Sequence, residues 1–385
     1  MKRVARLAVL LAMGLTVTAA VGQPDRLAVV ASFSILADVI QNVTLGQADV
    51  TSLIPVGADP HSYEPSARDL VALSEADVIF VAGGGFEEQL LDTIAGVAPN
   101  IPVVEASTCV RVRMYGDGRD HEDGEGETSG RDPDAGGSEH HTIFGLDVRG
   151  LCDSYDTQLH EIDALKESMG FPSGRMPDAQ RGHRLFEVEC THDEHSDDHE
   201  HSAVHAHGTC DPHVWSDPRS VVYWSLFIGD VVGALDPAHA DQYTANAHEY
   251  AYAIDDLLRL QLEPELAVIP PENRLLLTNH ETLGYFASAY GFDVLGFVLP
   301  GGSTLAEPSA RDVAALVELV RSSGVKAIFV ETTVVSRVAE LVAAEAGTPL
   351  VSLYTDSLSD VQGPAPTYLD YTAYNFAAIT DALAP

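Results

Sequence analysis

Short apolar runs alternate with amphipathic helical stretches along most of the chain. Eight of these runs have the length and composition of buried strands: residues 27–34, 50–55, 78–82, 101–104, 274–278, 292–298, 327–330 and 349–354. Buried strands separated by helices are typical of parallel sheets with helices on both faces. The alternation stops in the middle of the chain and then resumes. We therefore predict an α/β fold with two lobes, each a parallel sheet flanked by helices.

A repeated hexapeptide supports this division into halves. The sequence EPSARD occurs at residues 64–69 and again at residues 307–312. In each copy a helical apolar pattern and then a buried-strand run follow. Proline suits the first turn of a helix, and serine and aspartate suit its cap. The repeat predicts that each hexapeptide begins a helix in a duplicated α/β unit.

One long helix is predicted between the halves. Asp236 and Pro237 are suited to its N-terminus, and apolar residues then recur at helical spacing to about Gln261. About 25 helical residues span roughly 38 Å. We expect a rigid helix that joins a first lobe (24–235) to a second lobe (267–385), with 236–266 as the linking segment.

Residues 111–209 interrupt the pattern as an acidic and His-rich insert. Residues 116–137 are rich in Asp, Glu and Gly, residues 192–207 mix histidines with acidic residues, and the stretch 143–188 has enough apolar residues for a helix. The four cysteines flank these tracts, at Cys109, Cys152, Cys190 and Cys210. In an oxidising compartment we expect two disulfides, and the sequence leaves three pairings open.

The first 22 residues have the features of a cleaved signal peptide, with a basic start, an apolar run and small residues before the cleavage point. Because no cysteine lies near that point, we expect export to a periplasm without a lipid anchor. No other stretch has the length of a membrane-spanning helix, so we expect a soluble mature protein.

The charge of the chain restricts its partners. Lys and Arg total 21 against 58 Asp and Glu, a formal charge of −37. Phosphates would be repelled, which excludes nucleic acid and argues against anionic membrane surfaces. Residues 111–212 hold 24 acidic and 9 basic residues and 11 of the 16 histidines. The insert therefore attracts cations.

Four residues outside the His-rich tract are candidate metal ligands. His61, His280 and Asp356 follow predicted strands, and His213 lies in a second Asp-Pro-His segment. In open α/β sheets ligands bind beyond the carboxyl ends of the strands. Three imidazoles and one carboxylate form a closed set that suits tetrahedral Zn²⁺.

Other residues are secondary candidates. Glu281 is an alternative fourth ligand, although neighbours that leave a strand tend to diverge. Both Glu281 and Glu331 are candidates for orienting a ligand histidine from outside the metal. The tract offers auxiliary metal ligands: His192, His195, His199, His201, His205 and His207.

These motifs resemble the periplasmic metal-binding solute-binding proteins of ABC transporters, specifically the zinc-uptake type. The matching segments are VVASFSILAD (29–38), DPHSYEPS (59–66), DPHVW (211–215), the stretch 280–291 and YTDSLS (354–359). The resemblance implies two lobes, a rigid joining helix and a metal between the lobes. It places His61, His213 and His280 on the family's histidine ligands and Asp356 on its carboxylate. Manganese-binding relatives usually carry Glu where His280 stands, which favours zinc.

The sequence therefore predicts a monomeric binding protein, not an enzyme. It would carry Zn²⁺ to a membrane permease with a cytoplasmic ATPase. One alternative is a manganese- or iron-binding protein on the same scaffold. A less favoured alternative is a zinc-dependent hydrolase with Glu281 as general base. The insert exceeds the family's usual His-rich loop, and its acidic tract and cysteines do not map onto the family.

Overall fold

The computed structural model describes residues 26–114, 142–168, 183–188, 190, 210–299, 308–334 and 336–385. The predicted signal peptide, the acidic tract 116–137 and the His-rich tract 192–207 lie outside the described residues. Within the described ranges no helix is both long enough and apolar enough to cross a bilayer.

The first half of the chain forms a four-stranded parallel sheet with helices between its strands. Its elements are β1 (Leu27–Ala31), α1 (Ser34–Thr44), β2 (Ala48–Ser52), α2 (Ala67–Ser74), β3 (Val78–Val81), α3 (Glu88–Val97) and β4 (Val103–Glu105). The strand order is β2-β1-β3-β4. Successive side chains in β3 join different apolar clusters, Val78 and Phe80 in one and Ile79 and Val81 in the other. The sheet is therefore buried on both faces.

The insert contains a two-stranded hairpin and a long helix. They are β5 (Thr142–Ile143), β6 (Leu146–Asp147) and α4 (Val148–Ser168). Two disulfides anchor the insert, Cys109–Cys152 and Cys190–Cys210. This pairing resolves the three alternatives, and the helix expected in this stretch is confirmed.

Two long helices follow the insert. These are α5 (Pro218–Leu235) and α6 (Ala240–Leu257), and α6 continues through a π-helical turn (Leu258–Leu262) into α7 (Glu263–Leu266). The helical path from Ala240 to Leu266 is about 40 Å long at 1.5 Å per residue. A long helix between the two sheets is thus present, as expected.

The predicted start of this helix was wrong, and its end lies at Leu266, the bound expected for the linking segment, beyond the Gln261 that the apolar pattern indicated. Asp236 closes α5, and its carboxylate accepts hydrogen bonds from His239 Nδ1 (2.6 Å) and the Tyr243 hydroxyl (2.8 Å), so α6 begins only at Ala240. At the other end Pro264 does not stop the helix. A π turn lies directly before it, and such a turn changes the hydrogen-bond pattern in which the missing proline N–H would have donated.

Ion pairs tie α4 to this long helix. The Arg259 side chain, 4% exposed, contacts Asp163 of α4 and also Asp255, with a 2.6 Å bond from Nε to the latter. Lys166 of α4 contacts Asp255 and lies 2.8 Å from Asp256 Oδ1. The insert helix therefore braces the long helix beside its π turn.

The second half repeats the architecture of the first. Its elements are β7 (Leu275–Thr278), α8 (Gly284–Tyr290), β8 (Asp293–Phe297), α9 (Ala310–Ser323), β9 (Ile328–Glu331), α10 (Arg337–Ala346), β10 (Leu350–Leu353) and α11 (Tyr368–Leu383). All pairings are parallel, in the order β10-β9-β7-β8. Read from the β8 edge, this is the same order as in the first sheet. All eight predicted strands are confirmed, and each end lies within three residues of the predicted one.

The repeated hexapeptide caps equivalent helices. Ser66 and Asp69 form a capping box at α2, and Ser309 and Asp312 form one at α9. In such a box the serine side chain accepts from the third helical N–H, and the acidic side chain accepts from the serine N–H. The prediction of duplicated α/β units is supported by this shared helix start and by the shared strand order.

Buried hydrogen bonds join the two halves. The Tyr368 side chain of α11 is fully buried, and its hydroxyl donates to the Trp215 carbonyl (2.8 Å). The Tyr368 N–H donates to the Asp38 carboxylate of α1 (2.9 Å). Each such bond would be exchanged for a bond to water if the halves moved apart, so together they favour the closed arrangement.

Removal of the Cys109–Cys152 disulfide should destabilise the protein. The bridge closes a segment with a sequence separation of 43, for which chain entropy gives a stabilisation of about 4 kcal/mol. Guanidinium unfolding of the Cys109→Ala/Cys152→Ala double variant should show a loss of that order. A free energy of unfolding equal to that of the wild type would contradict the stabilising role assigned to this disulfide.

Candidate metal centre

Four buried side chains from distant parts of the sequence come together between the two sheets. His61, His213, His280 and Asp356 each offer one donor atom, and these atoms all lie within 4.8 Å of one another. Nε2 of His61 lies 3.8 Å from Asp356 Oδ2, and Nε2 of His280 lies 3.7 Å from the same oxygen. Donors around tetrahedral zinc, with bonds of about 2.0–2.1 Å, lie about 3.4 Å apart. A small contraction would bring these pairs to that spacing.

His61 is held by the turn that follows β2. Its N–H donates to Asp59 Oδ1 (3.0 Å), and the Ser62 hydroxyl donates to Asp59 Oδ2 (3.0 Å). Asp59 thus caps the 3₁₀ turn at residues 60–62. The local sequence fixes the backbone from which the His61 ring projects.

His213 is oriented by the aspartate two residues before it. Asp211 Oδ1 lies 2.9 Å from His213 Nδ1 and accepts a 3.0 Å bond from the His213 N–H. A carboxylate at Nδ1 holds the proton there, so Nε2 keeps its lone pair for a metal. Asp211 was not among the predicted site residues. The shared Asp-Pro-His pattern at residues 59–61 and 211–213 was the signal for it.

His280 is oriented in the same way by Glu331. Its Nδ1 is hydrogen-bonded to Glu331 Oε1, and both side chains are buried. Burial lowers the pKa of His280, but the carboxylates of Glu331, Asp356 and Asp59 together outweigh that effect and raise the pKa to about 9. The position predicted for Glu331, beside a candidate ligand histidine, is the one that the structure gives it.

Asp356 is a buried carboxylate that faces these imidazoles. Its side chain is 1% exposed, and neither oxygen has a hydrogen-bond partner among the described residues. Burial raises its pKa, against the opposing effect of His280. An ionised carboxylate without donors is costly in a protein interior unless a cation lies beside it. The neighbouring Thr355 carbonyl accepts a 2.8 Å bond from Trp215 Nε1, which fixes this loop against the first half.

Aromatic rings close the first-half side of the cluster. The Phe86 ring meets His61 edge-on at 5.7 Å and His213 at 6.1 Å between ring centroids. Trp215 packs on Phe86 at 4.7 Å and on Phe33 at 4.8 Å. These rings exclude water and lower the local dielectric constant, which strengthens the attraction between a cation and the carboxylate.

A further buried acid lies behind this wall. Glu87 accepts hydrogen bonds from the Ser32 hydroxyl (2.6 Å) and from the N–H groups of Ala82 (2.7 Å) and Gly83 (3.2 Å). Burial raises its pKa to about 7, these three bonds oppose the rise, and Glu105 adds to it. Glu87 therefore joins the ends of β1 and β3 just beneath Phe86.

The structure brings together the four main candidates and leaves the others apart. Glu281 is half-buried and is not one of the four clustered donors. The six tract histidines, from His192 to His207, lie outside the described residues. With a metal bound, three neutral imidazoles and one ionised carboxylate would offer four donors and a single negative charge. That donor set suits a divalent cation of borderline softness.

Two parallel sheets joined by a long helix, with a buried donor cluster between them, define a class of metal-binding solute-binding proteins. The periplasmic zinc binding protein TroA from Treponema pallidum shares this fold, with a TM-score of 0.64 and 21% identity, over 94% of this chain and all of that chain. The manganese-binding lipoprotein MntA of Halalkalibacterium halodurans is 26% identical over 362 residues, 93% of this chain and 89% of that protein. The iron-binding protein YfeA of Yersinia pestis is 25% identical over 346 residues, 89% of this chain and 81% of that protein.

The family model of the periplasmic zinc-uptake complex component A matches residues 29–382. The chain belongs to this family. It is a metal-binding, periplasmic or extracellular substrate-binding component of an ABC transporter and not an enzyme. The hydrolase alternative is thereby excluded.

The buried Glu87 should make stability depend on pH. Its pKa of about 7 in the folded state exceeds the value near 4.3 of an exposed glutamate, so folding favours the protonated acid. This contribution is complete below about pH 4 and is lost as the pH rises to 7, by an amount on the order of 3 kcal/mol.

Glu87→Gln keeps a neutral side chain of similar shape and should remove this loss. Urea unfolding of wild type and variant at intervals from pH 5 to pH 8 measures the difference. The variant should gain stability relative to the wild type as the pH rises to 7, and the difference should be constant above it. Parallel curves would show that Glu87 is already ionised in the folded protein at pH 5.

Proposed function

We propose that the protein binds Zn²⁺ at His61, His213, His280 and Asp356 and delivers it to an ABC permease driven by a cytoplasmic ATPase. The observation that carries this proposal is the Asp356 carboxylate, which is buried beside three imidazoles and accepts no hydrogen bond from the described residues. A divalent cation would supply the missing positive charge.

The donor set favours zinc over the other metals that relatives are named for. Manganese and iron(II) sites usually have more oxygen donors and higher coordination numbers, whereas three imidazoles and one carboxylate suit four-coordinate zinc. His280 supports the same choice, because it supplies a third imidazole nitrogen in place of a further oxygen donor.

We place the mature protein in the periplasm as a monomer, with a first lobe (24–235), a linking helix (236–266) and a second lobe (267–385). The tract histidines would be auxiliary ligands that raise the local zinc concentration. Both lobes supply ligands, so that the bound metal holds the lobes together.

Zinc titration of the purified protein tests the site. His280→Ala and Asp356→Ala should each weaken the tight site more than about 100-fold, since even loss of a group that merely orients a ligand costs 10–100-fold. His248→Ala, in α6 and outside the cluster, is the matched histidine control and should bind as wild type does. Competition between Zn²⁺ and Mn²⁺ is measured on the same samples.

Deletion of residues 192–207 separates the cluster from the tract. One tight zinc should survive this deletion and disappear when His280→Ala is added. Loss of the tight zinc on deletion alone would assign it to the tract. Displacement of zinc by equimolar Mn²⁺ would overturn the zinc assignment, because divalent-metal affinities ordinarily favour zinc over manganese.

Glu331→Gln tests how His280 is oriented. The amide can still accept from Nδ1 but no longer carries the charge that raises the basicity of the ring, so zinc affinity should fall about 10- to 100-fold. Calorimetric titration would measure this change. Wild-type affinity in Glu331→Gln would show that the carboxylate charge has no role at the site.

A further inference from the structure

A tyrosine of the second half contacts both ends of the chain segment at the base of the insert. The Tyr285 hydroxyl of α8 donates to the Asp211 carbonyl (2.8 Å) and accepts from the Arg113 N–H (2.9 Å). The Arg113 guanidinium lies 5.8 Å from the centre of the Tyr285 ring. Tyr285 is 6% exposed and Asp211 is 2% exposed. One buried hydroxyl thus bonds two backbone groups of the first half.

Asp211 connects this contact to the candidate metal centre. Its N–H donates to the Arg113 carbonyl (2.8 Å), and its carboxylate orients His213. Asp211 is therefore fixed through its N–H, its carbonyl and its side chain. A displacement of its carbonyl would also move the carboxylate that holds the His213 ring.

The start of α8 packs directly against the same carboxylate. A Cβ at Gly284 would lie 2.5 Å from Asp211 Oδ2, closer than real contacts allow. The loop before α8 carries His280. The His213 and His280 segments, one from each half, therefore meet closely where Gly284 and Tyr285 contact Asp211.

We propose that Tyr285 is a positioning residue, an interlobe clasp that sets how slowly the metal leaves the site. This inference rests on the proposed zinc site. All four ligands are buried, so the halves must separate before the metal can leave. Separation breaks both hydrogen bonds of Tyr285, and the cost falls on the opening step because the bonds are lost before water can replace them. The clasp therefore slows release, while capture by the already open form does not require these bonds.

Stopped-flow release of Zn²⁺ from the full chain to excess chelator tests the clasp. Tyr285→Phe keeps the ring and removes the hydroxyl, and it should release zinc about tenfold faster with an unchanged association rate constant. The matched control is Tyr290→Phe in the same helix. The Tyr290 hydroxyl is buried but has no hydrogen-bond partner within the described ranges, so this variant should release zinc as the wild type does.

Gly284→Ala gives a second test, because its methyl group would displace Asp211 and disturb its bond with Tyr285 while the tyrosine hydroxyl itself is kept. It should also accelerate release. The phase to be compared is the slow one that His280→Ala abolishes. If His280→Ala abolishes no phase, both the zinc site and the clasp are wrong. If His280→Ala does abolish the slow phase, but Tyr285→Phe and Tyr290→Phe release zinc at the same rate, only the clasp is overturned. The clasp would also be overturned if Tyr285→Phe slowed zinc association by the same factor by which it accelerated release, since that indicates general damage to the site.

Discussion

The buried carboxylate of Asp356 is the constraint on which the centre depends. The negative charge of an ionised Asp356 has to be balanced because the side chain is buried from water, and the described residues give it no hydrogen bond. In the proposed zinc site, a cation held by the facing imidazoles would supply that balance. The carboxylates of Asp211 and Glu331 serve the same site. Each holds a proton on Nδ1 of its histidine, so that Nε2 of the ring faces the cluster. The aromatic wall keeps water from weakening these interactions.

The duplicated sheet explains where the acids lie. In both sheets the first and third strands are neighbours, and the chain leaves them in opposite directions, which opens a crevice at their carboxyl ends. A buried glutamate occupies that crevice in each half. Glu87 bonds Ser32 after β1, and Glu331 bonds His280 after β7. One half uses the position to hold its own strand ends, and the other uses it to orient a candidate ligand.

The sequence was sufficient for features that depend on local pattern. The eight strands, the repeated helix caps and the four clustered donors all follow from apolar runs and short motifs. The start of α6 was missed because Asp236 ends α5 through its backbone N–H, and its carboxylate bonds the His239 and Tyr243 side chains and not the N–H groups of a helix start. Asp211 and Tyr285 were missed as partners because their contacts join residues 74 positions apart. The disulfide pairing likewise depends on how the insert returns to the sheet, which spacing alone does not determine.

The ion pairs between α4 and the long helix define the smallest unit that can be expected to fold. Arg259 is almost fully buried, and one of its carboxylate partners, Asp163, comes from the insert. Lys166 of the insert in turn lies between Asp255 and Asp256. A shortened chain without α4 would leave acidic groups of the long helix facing one another and would strip a buried cation of a partner. The helix that interrupts the family pattern is therefore part of the supporting frame, and any truncation should preserve it.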